Sequence, residues 1–198
     1  LHASEQSRPN VAAARKRWKR EQGSWDHRHL VFLDETGLNT KMTRLYGRSP
    51  RSQRCLDSRP HGHWHTNTFI AALRHNRLEA PWMLDGAMNG QAFLIYLSEV
   101  LAPTLREGDV VICDNLSSHK IAGVDEAIKQ TGASLRYLPP YSPDLNPIEM
   151  AFSKLKALIR KQQARSFQQL FKAVSEASKS FPSTQCSGFF RHAKYATD

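Results

Sequence analysis

Two short runs of bulky and β-branched residues in this sequence end at an aspartate. One run leads from His29 to Asp34, and the other leads from Val110 to Asp114. Their length and composition predict buried strands, and Thr36-Gly37 predicts a turn directly after the first strand. Carboxylates at the ends of buried strands are placed to bind hard cations. We therefore expect a sheet with acidic strand ends.

The other elements follow from the hydrophobic periodicity. They are a basic helix or linker over 10–22, an exposed hairpin over 41–54, strands over 66–73, 78–84 and 134–138, and helices over 89–103, 121–130, 146–159 and 166–180. The last helix is expected to bury Phe167, Leu170, Phe171 and Val174. This order predicts an α/β fold with a mixed five-stranded sheet, three antiparallel strands and then two parallel ones, flanked by helices.

A third acid, Glu149, stands near the start of a predicted helix. Asn146 is expected to cap this helix, with Pro147 at its first position. Taken alone, a glutamate three residues after Asn146 is also a capping box, which stabilises a helix without catalysis. Similarly, Asp114-Asn115 could be a turn after a strand, and Asp34-Glu35 a solvated strand end.

The charge of the chain is strongly basic, with a formal net charge of +10 and a pI near 9.8. Residues 1–25 carry six Lys or Arg against two Glu, and residues 150–198 carry nine against two acids. A basic rim around a carboxylate-rich middle indicates a polyanionic partner, with nucleic acid the leading candidate. The alternative is that these charges are solvated helix faces.

Cysteine usage and hydropathy exclude several classes of protein. Cys55, Cys113 and Cys186 have no paired spacing, so neither a disulfide framework nor a zinc motif is indicated. No apolar run approaches the roughly 20 residues of a membrane helix. We expect a soluble, cytoplasmic protein with no membrane partner and no small-molecule cofactor.

The three acidic motifs resemble those of the mariner-like DDE transposases, particularly the bacterial insertion-sequence branch. The matching motifs are Phe-Leu-Asp-Glu-Thr-Gly at Asp34, Asp-Asn-Leu-Ser-Ser-His-Lys at Asp114, and Pro-Pro-Tyr-Ser-Pro-Asp-Leu-Asn-Pro-Ile-Glu at Glu149. Between Asp114 and Glu149 lie 34 residues, the spacing characteristic of that group. The resemblance runs from about His29 to the end of the chain. It implies a ribonuclease-H-like fold and Mg²⁺-dependent cutting and joining of transposon ends.

In this reading the three acids hold two Mg²⁺ ions, for which Mn²⁺ can substitute, about 3.5–4 Å apart. Asp34 would bridge both ions, while Asp114 and Glu149 would each bind one. The attacking group would be water for end cleavage and a 3′-hydroxyl for strand transfer. The implied partners are transposon-end and target DNA and, when two ends are paired, a second copy of the chain. The implied location is the bacterial nucleoid.

Further residues are candidates for DNA contacts. They are Arg44, Arg48, Arg51, Arg54, His119, Lys120, Lys154 and Lys156. His119 could instead pack at a helix start, and each lysine could be a solvated surface residue. Glu35 is expected on the opposite face of its strand from Asp34, in a structural role. His61, His63 and His65 share one face of a predicted strand and fit either a zinc site or a loop that faces DNA.

The expected organisation is a basic linker helix over 1–27, the tail of a missing N-terminal DNA-binding region, followed by the catalytic domain over 28–198. Family members carry a helix-turn-helix region upstream, and the residues before His29 are too few to form one. Two alternatives to an active transposase remain. One is a catalytically silent relic that binds DNA or regulates full-length partners, and the other is a cellular nuclease that prefers an RNA–DNA hybrid.

Overall fold

The architecture is a mixed sheet covered by helices on both faces. A computed structural model describes residues 4–44, 46–56 and 66–196. Within these ranges the strands are β1 (Leu30–Asn39), β2 (Thr66–Arg74), β3 (Arg77–Asp85), β4 (Val110–Cys113) and β5 (Ser134–Tyr137). The α-helices are α1 (Pro9–Glu21), α2 (Gly90–Tyr96), α3 (Val124–Lys129), α4 (Ile148–Gln162), α5 (Phe167–Ser178) and α6 (Ser183–His192). The predicted α/β fold with five strands is confirmed.

The strand order is β3-β2-β1-β4-β5, so β1 is the central strand. It pairs antiparallel with β2 and parallel with β4, and β4 pairs parallel with β5. The parallel ladder between β1 and β4 ends where Leu33 stands beside Cys113. The next residue on each strand is one of the two predicted aspartates. The ladder therefore delivers Asp34 and Asp114 to the same edge of the sheet.

The predicted turn at Thr36-Gly37 is wrong. β1 continues to Asn39, and its pairing with β2 places Gly37 opposite Thr68 and Asn39 opposite Thr66. The uninterrupted ladder with β2 outweighs the local turn preference of glycine, which strands tolerate at a modest cost. Beyond Leu33, β1 is thus paired on its β2 side and lacks the pairing with β4.

The predicted hairpin over 41–54 is also wrong. Residues 40–44 and 46–56 contain turns and irregular backbone, with one turn closed by a hydrogen bond from Gln53 N to Pro50 O (3.0 Å). This stretch is rich in arginine, glycine and proline, and it has no alternating apolar face that burial could stabilise as a ladder. The histidines at 61, 63 and 65 lie outside the described residues.

Side chains alternate along the strands and form a core on each face of the sheet. On one face, Phe32, Phe69 and Ile112 pack with α4, α5 and α6. On the other face, Val31 and Ile70 pack with residues of α2 and of the turns that follow it. All five side chains are completely or almost completely buried. The sheet is therefore fixed from both sides, which holds its acidic edge in place.

The helices on the second face follow their predicted caps more closely than their predicted lengths. Asn89 caps α2 by accepting a hydrogen bond from Ala92 N (2.9 Å), as predicted. After α2 the chain continues as a π-helical turn over Leu97–Leu101 and a 3₁₀ turn before the strand. α3 begins later than predicted, because Gly123 adopts φ 92° and the preceding residues form a separate 3₁₀ turn.

Two expectations for the C-terminal region are corrected. α6 was not predicted, because its serines and Gly188 weaken a helical pattern whose spacing is visible only in the buried pair Cys186 and Phe190. Ser166 caps α5 as expected for a helix start. However, Phe167 and Phe171 are exposed rather than buried, because the helix turns Leu170 and Val174 toward the core.

In the described part of the chain no helix combines the length and hydropathy needed to cross a membrane.

The predicted basic helix is present as α1, and it packs on the main core. Trp18 is 8% exposed, and its Nε1 donates a hydrogen bond to the Tyr195 hydroxyl (2.7 Å). That hydroxyl donates in turn to the carbonyl of Leu145 (2.8 Å). Trp25 packs edge-on against Trp18, with ring centroids 4.9 Å apart. α1 is thus joined to the C-terminal tail and to the segment that precedes α4.

These contacts predict that α1 stabilises the whole fold. We expect Trp18→Ala to lower the free energy of unfolding by about 3–5 kcal/mol, because it empties a buried site and leaves the Tyr195 hydroxyl without its donor. Chemical denaturation monitored by circular dichroism measures this change. Arg17→Ala, on the exposed side of the same helix, is the matched control and should alter stability by less than about 0.5 kcal/mol. Equal stability of both variants would show that α1 is not part of the cooperative unit.

Candidate active site

The three predicted acids line one cavity at the edge of the sheet. Asp34, Asp114 and Glu149 border a space of about 610 Å³, together with Glu35 and Asn146. Asp34 and Asp114 follow the last paired residues of the parallel ladder, and Glu149 stands in the first turn of α4. A stiff proline-rich connector after β5 carries the chain across the open end of the sheet to α4.

Asp34 is the most buried of the three acids, at 8% exposed. Its Oδ1 accepts a hydrogen bond from Glu35 N (2.7 Å), and its Oδ2 accepts one from Asn146 Nδ2 (2.8 Å). Burial and the nearby charge of Glu149 raise the pKa of Asp34 to about 8, with smaller contributions from Asp114 and Glu35, against the hydrogen bond from Glu35 N. Without a cation, the site therefore keeps a proton on Asp34 at neutral pH.

The expected cap at Asn146 is not formed. α4 begins at Ile148, and the side chain of Asn146 points to Asp34 instead of accepting from the first N–H groups of the helix. Asn146 is 4% exposed, and among the described residues its Oδ1 has no hydrogen-bond partner. A buried amide that orients a carboxylate has replaced a cap. The capping-box interpretation of Glu149 is therefore not supported.

His119 lies between two carboxylates. Its Nδ1 is 2.7 Å from Asp114 Oδ1, and its Nε2 is 2.9 Å from Glu35 Oε2. The ring stacks on Phe93, with centroids 4.2 Å apart, and has no exposed surface. Burial by itself would lower the pKa of His119, but its close contacts with Asp114, Cys113 and Glu35 outweigh burial and raise the pKa to about 12. A protonated imidazole therefore links the two acids.

This arrangement corrects two predictions. His119 cannot contact DNA in this structure because it is fully buried. Glu35, expected on the opposite face from Asp34 in a structural role, lines the same cavity. The reason is that β1 no longer pairs with β4 at this point, so side chains from both of its faces reach the open end of the sheet. A polar run directly after β4, with a histidine five residues past Asp114, was the available sequence signal.

The donor set of the cavity fits a hard divalent cation. Its charged groups are carboxylates, and the proton on Asp34 reflects burial together with the nearby negative charge of Glu149. In the described ranges no three histidine, cysteine, aspartate or glutamate side chains are arranged to hold a single ion. Mg²⁺ is usually bound by one or two carboxylates and several waters, so a complete protein cage is not required.

The predicted DNA contacts fall into two groups. Most of them are exposed or half-buried, as a phosphate contact requires: Arg44, Arg48, Arg51, Arg54, Lys120 and Lys156. Lys154 differs, because its Nζ contacts the Ser180 carbonyl and Gln185 Oε1 and lies 4.6 Å from the centre of the Phe181 ring. These internal contacts occupy the ammonium group, so the structure does not support a DNA contact for Lys154.

The sequence matches a known protein family, and the fold is similar to that of solved structures. The profile described as DDE superfamily endonuclease matches residues 29–171. No curated protein matches the chain in sequence. The catalytic domain of Mos1 mariner transposase is similar in structure, with a TM-score of 0.68 and 13% identity, over 98% of this chain and 92% of that one. This likeness confirms the ribonuclease-H-like sheet that the acidic motifs predicted.

Larger Mos1 assemblies are also similar. The Mos1 mariner paired end complex with Mn has a TM-score of 0.72 and 14% identity, over 98% of this chain and 61% of that one. The Mos1 strand transfer complex has a TM-score of 0.63 and 17% identity, over 93% and 56%. The chain thus spans about three fifths of the transposase in those complexes.

The raised pKa of Asp34 predicts a pH-dependent stability. In the unfolded chain this carboxyl loses its proton near pH 4, whereas in the fold it keeps the proton up to about pH 8. Between these values only the folded state holds the proton, so stability is lost as the pH rises through this window. Asp34→Asn removes that loss. We expect the variant to be more stable than the parent by about 5 kcal/mol at about pH 9 and equally stable near pH 4.

Urea unfolding in EDTA at several pH values measures this difference. Glu176→Gln, at an exposed carboxyl on α5, should show no such trend. Addition of Mg²⁺ at high pH should stabilise the parent more than Asp34→Asn, because the cation neutralises the carboxylate that has lost its proton. If the stability gain of Asp34→Asn is the same at every pH, the explanation by a raised pKa of Asp34 is wrong.

Proposed function

Because the chain belongs to the DDE superfamily endonucleases, we propose that it is the catalytic domain of a transposase that cleaves and joins DNA at transposon ends. The observation that carries this proposal is the meeting of Asp34, Asp114 and Glu149 in one cavity. Their carboxylates come from the middle of β1, from the residue after β4 and from the first turn of α4, which are far apart in sequence. A cavity of this kind can hold cations over a phosphodiester.

Divalent cations complete the proposed site. Two Mg²⁺ or Mn²⁺ ions held there would activate the attacking oxygen and stabilise the leaving oxygen in an in-line displacement. Asp34, Asp114 and Glu149 are the residues that would hold these ions. Asp34 must release its proton to do so. Asn146 keeps Asp34 Oδ2 in a fixed orientation through this change, because its amide donates to a carboxyl group in either state.

Glu35 and His119 are proposed to act as positioning residues. The imidazolium of His119 holds Asp114 through Nδ1 and is itself held by Glu35 through Nε2. Groups that orient metal ligands in this way commonly contribute 10–100-fold to metal affinity or activity. Neither residue is needed as a ligand in this scheme, since two ions take only one or two carboxylates each.

The proposed partner is DNA, and the proposed active unit is a dimer. The similar Mos1 structures are described as a paired end complex and a strand transfer complex. The basic ends of the present chain and the exposed arginines between β1 and β2 suit the phosphate backbone.

Nicking of supercoiled plasmid tests the proposal. We expect cutting by the parent in Mn²⁺ or Mg²⁺ and background levels after Asp34→Asn, Asp114→Asn or Glu149→Gln, because each removes a charged metal ligand. Glu176→Gln is the matched surface control and should cut like the parent. Cutting that survives Asp114→Asn would overturn the assignment of the site. DNA binding without cutting by the parent would favour a silent DNA-binding relic.

A matched pair of substitutions tests the role of His119. His119→Asn keeps a donor near the position of Nδ1, toward Asp114, whereas His119→Gln keeps one near Nε2, toward Glu35. If His119 acts through Asp114, the Mn²⁺ concentration for half-maximal nicking should rise about 10–100-fold in His119→Gln and less in His119→Asn. A purely structural role predicts equal metal dependence once the two variants are compared at equal folded fractions.

A further inference from the structure

A second cavity adjoins the candidate active site. It is a groove of about 570 Å³ between α1, the C-terminal tail and the start of α4. Pro143, Asn146 and Glu149 line both the groove and the acidic cavity. A ligand that lies over the three acids can therefore continue directly into this groove.

Away from Glu149, basic side chains line the groove. Lys19, His192 and Lys194 line it, and all three are exposed. Asp144 also lines it, but Arg15 neutralises this carboxylate through two parallel hydrogen bonds of 2.9 and 2.7 Å. The hydrogen bond from Arg15 also lowers the pKa of Asp144. Lys19 Nζ also lies near this carboxylate, 3.9 Å from Asp144 Oδ2, and the lysine side chain is 53% exposed.

Lys194 occupies a position that usually belongs to glycine. Tyr195 N donates to Phe190 O (2.9 Å) and Lys194 N donates to Arg191 O (3.0 Å), which is the Schellman pattern at the end of α6. Lys194 itself has φ 65°. A left-handed residue with a side chain costs about 1 kcal/mol relative to glycine. The chain thus presents an ammonium group at the groove where glycine would be the more stable choice.

The groove is built on a rigid floor. Gln22 is 3% exposed, and its Nε2 donates to the carbonyls of Ala193 and Lys194, each at 3.2 Å. The hydrogen bonds from Trp18 to Tyr195 and from Tyr195 to Leu145 join the same three segments beneath it. Basic residues from opposite ends of the chain are therefore held in fixed positions beside Glu149.

We propose that this groove binds the phosphodiester backbone of the DNA segment that flanks the scissile phosphate, with Lys19, His192 and Lys194 at the phosphates. This inference rests on the proposed function, because the acidic cavity is taken as the place where the scissile phosphate lies. The pairing is physically direct. Cations alone would repel the metal ions, and carboxylates alone would repel DNA, so a groove that changes sign along its length suits a metal-bound phosphate followed by its neighbours.

Binding in EDTA tests the groove separately from catalysis. The probe is a short fluorescein-labelled DNA duplex of arbitrary sequence, and the readout is fluorescence anisotropy over a range of salt concentrations. We expect the double variant Lys19→Gln, Lys194→Gly to bind about tenfold more weakly at low salt, with a salt slope reduced by about 2, because two phosphate contacts are lost. Lys194→Gly by itself should leave thermal stability equal or higher.

The matched control is Lys172→Gln, which removes the same charge from the exposed surface of α5. It should leave the affinity and the salt slope close to those of the parent. Equal weakening by Lys172→Gln would overturn the inference, since the effect would then be one of total charge. An unchanged affinity and slope in the groove variant would also overturn it.

The nicking assay separates this inference from the proposed function. If Asp114→Asn abolishes cutting while the groove variant binds and nicks like the parent, the inference fails and the function stands. If Asp114→Asn still cuts, the proposed function fails, and the binding data in EDTA show whether the groove holds DNA. Both proposals are supported if Asp114→Asn abolishes cutting, and if only the groove variant binds DNA weakly in EDTA and needs a higher plasmid concentration for nicking.

Discussion

The parallel pairing of β1 with β4 is the constraint on which the site depends. The ladder stops at Leu33 and Cys113, so Asp34 and Asp114 emerge side by side at one edge of the sheet. β1 then continues alone along β2, and this asymmetry opens the space that α4 enters with Glu149. Both faces of the sheet are packed with buried side chains. The backbone positions of Asp34 and Asp114 are therefore held close together.

Two features of the protein reduce the repulsion between these carboxylates: a proton on Asp34 and the buried imidazolium of His119. Asp34 retains a proton because it is buried next to Glu149, and His119 carries positive charge between Asp114 and Glu35. The site is thus neutralised in two different ways. In the proposed mechanism, Asp34 would release its proton to bind a cation, whereas the imidazolium would stay in the wall of the cavity. This cluster of charges lowers the stability of the fold, and it is suited to a divalent cation.

α1 and the C-terminal tail form the region next to the three acids. The basic helix was expected as a linker before the catalytic domain, yet the hydrogen bonds of Trp18, Tyr195 and Gln22 join it to the C-terminal tail and to the segment that leads into α4. The basic residues at the two ends of the chain are therefore not a diffuse cloud of charge. Several of them converge on a groove that begins where the acidic cavity ends.

The sequence by itself predicted five strands, their mixed directions and three candidate acids, because apolar runs indicate strands, the connections limit their directions, and the acidic motifs resemble those of a known family. It could not determine which polar side chains serve those acids. Asn146 looked like a helix cap and Glu35 like a residue of the opposite face, but both turn to the cavity. Likewise, Gly37 remains in a strand because a long-range ladder outweighs its local preference. Only the tertiary structure decided these roles, since a hydrogen-bond partner 112 residues away leaves no periodic trace in the sequence.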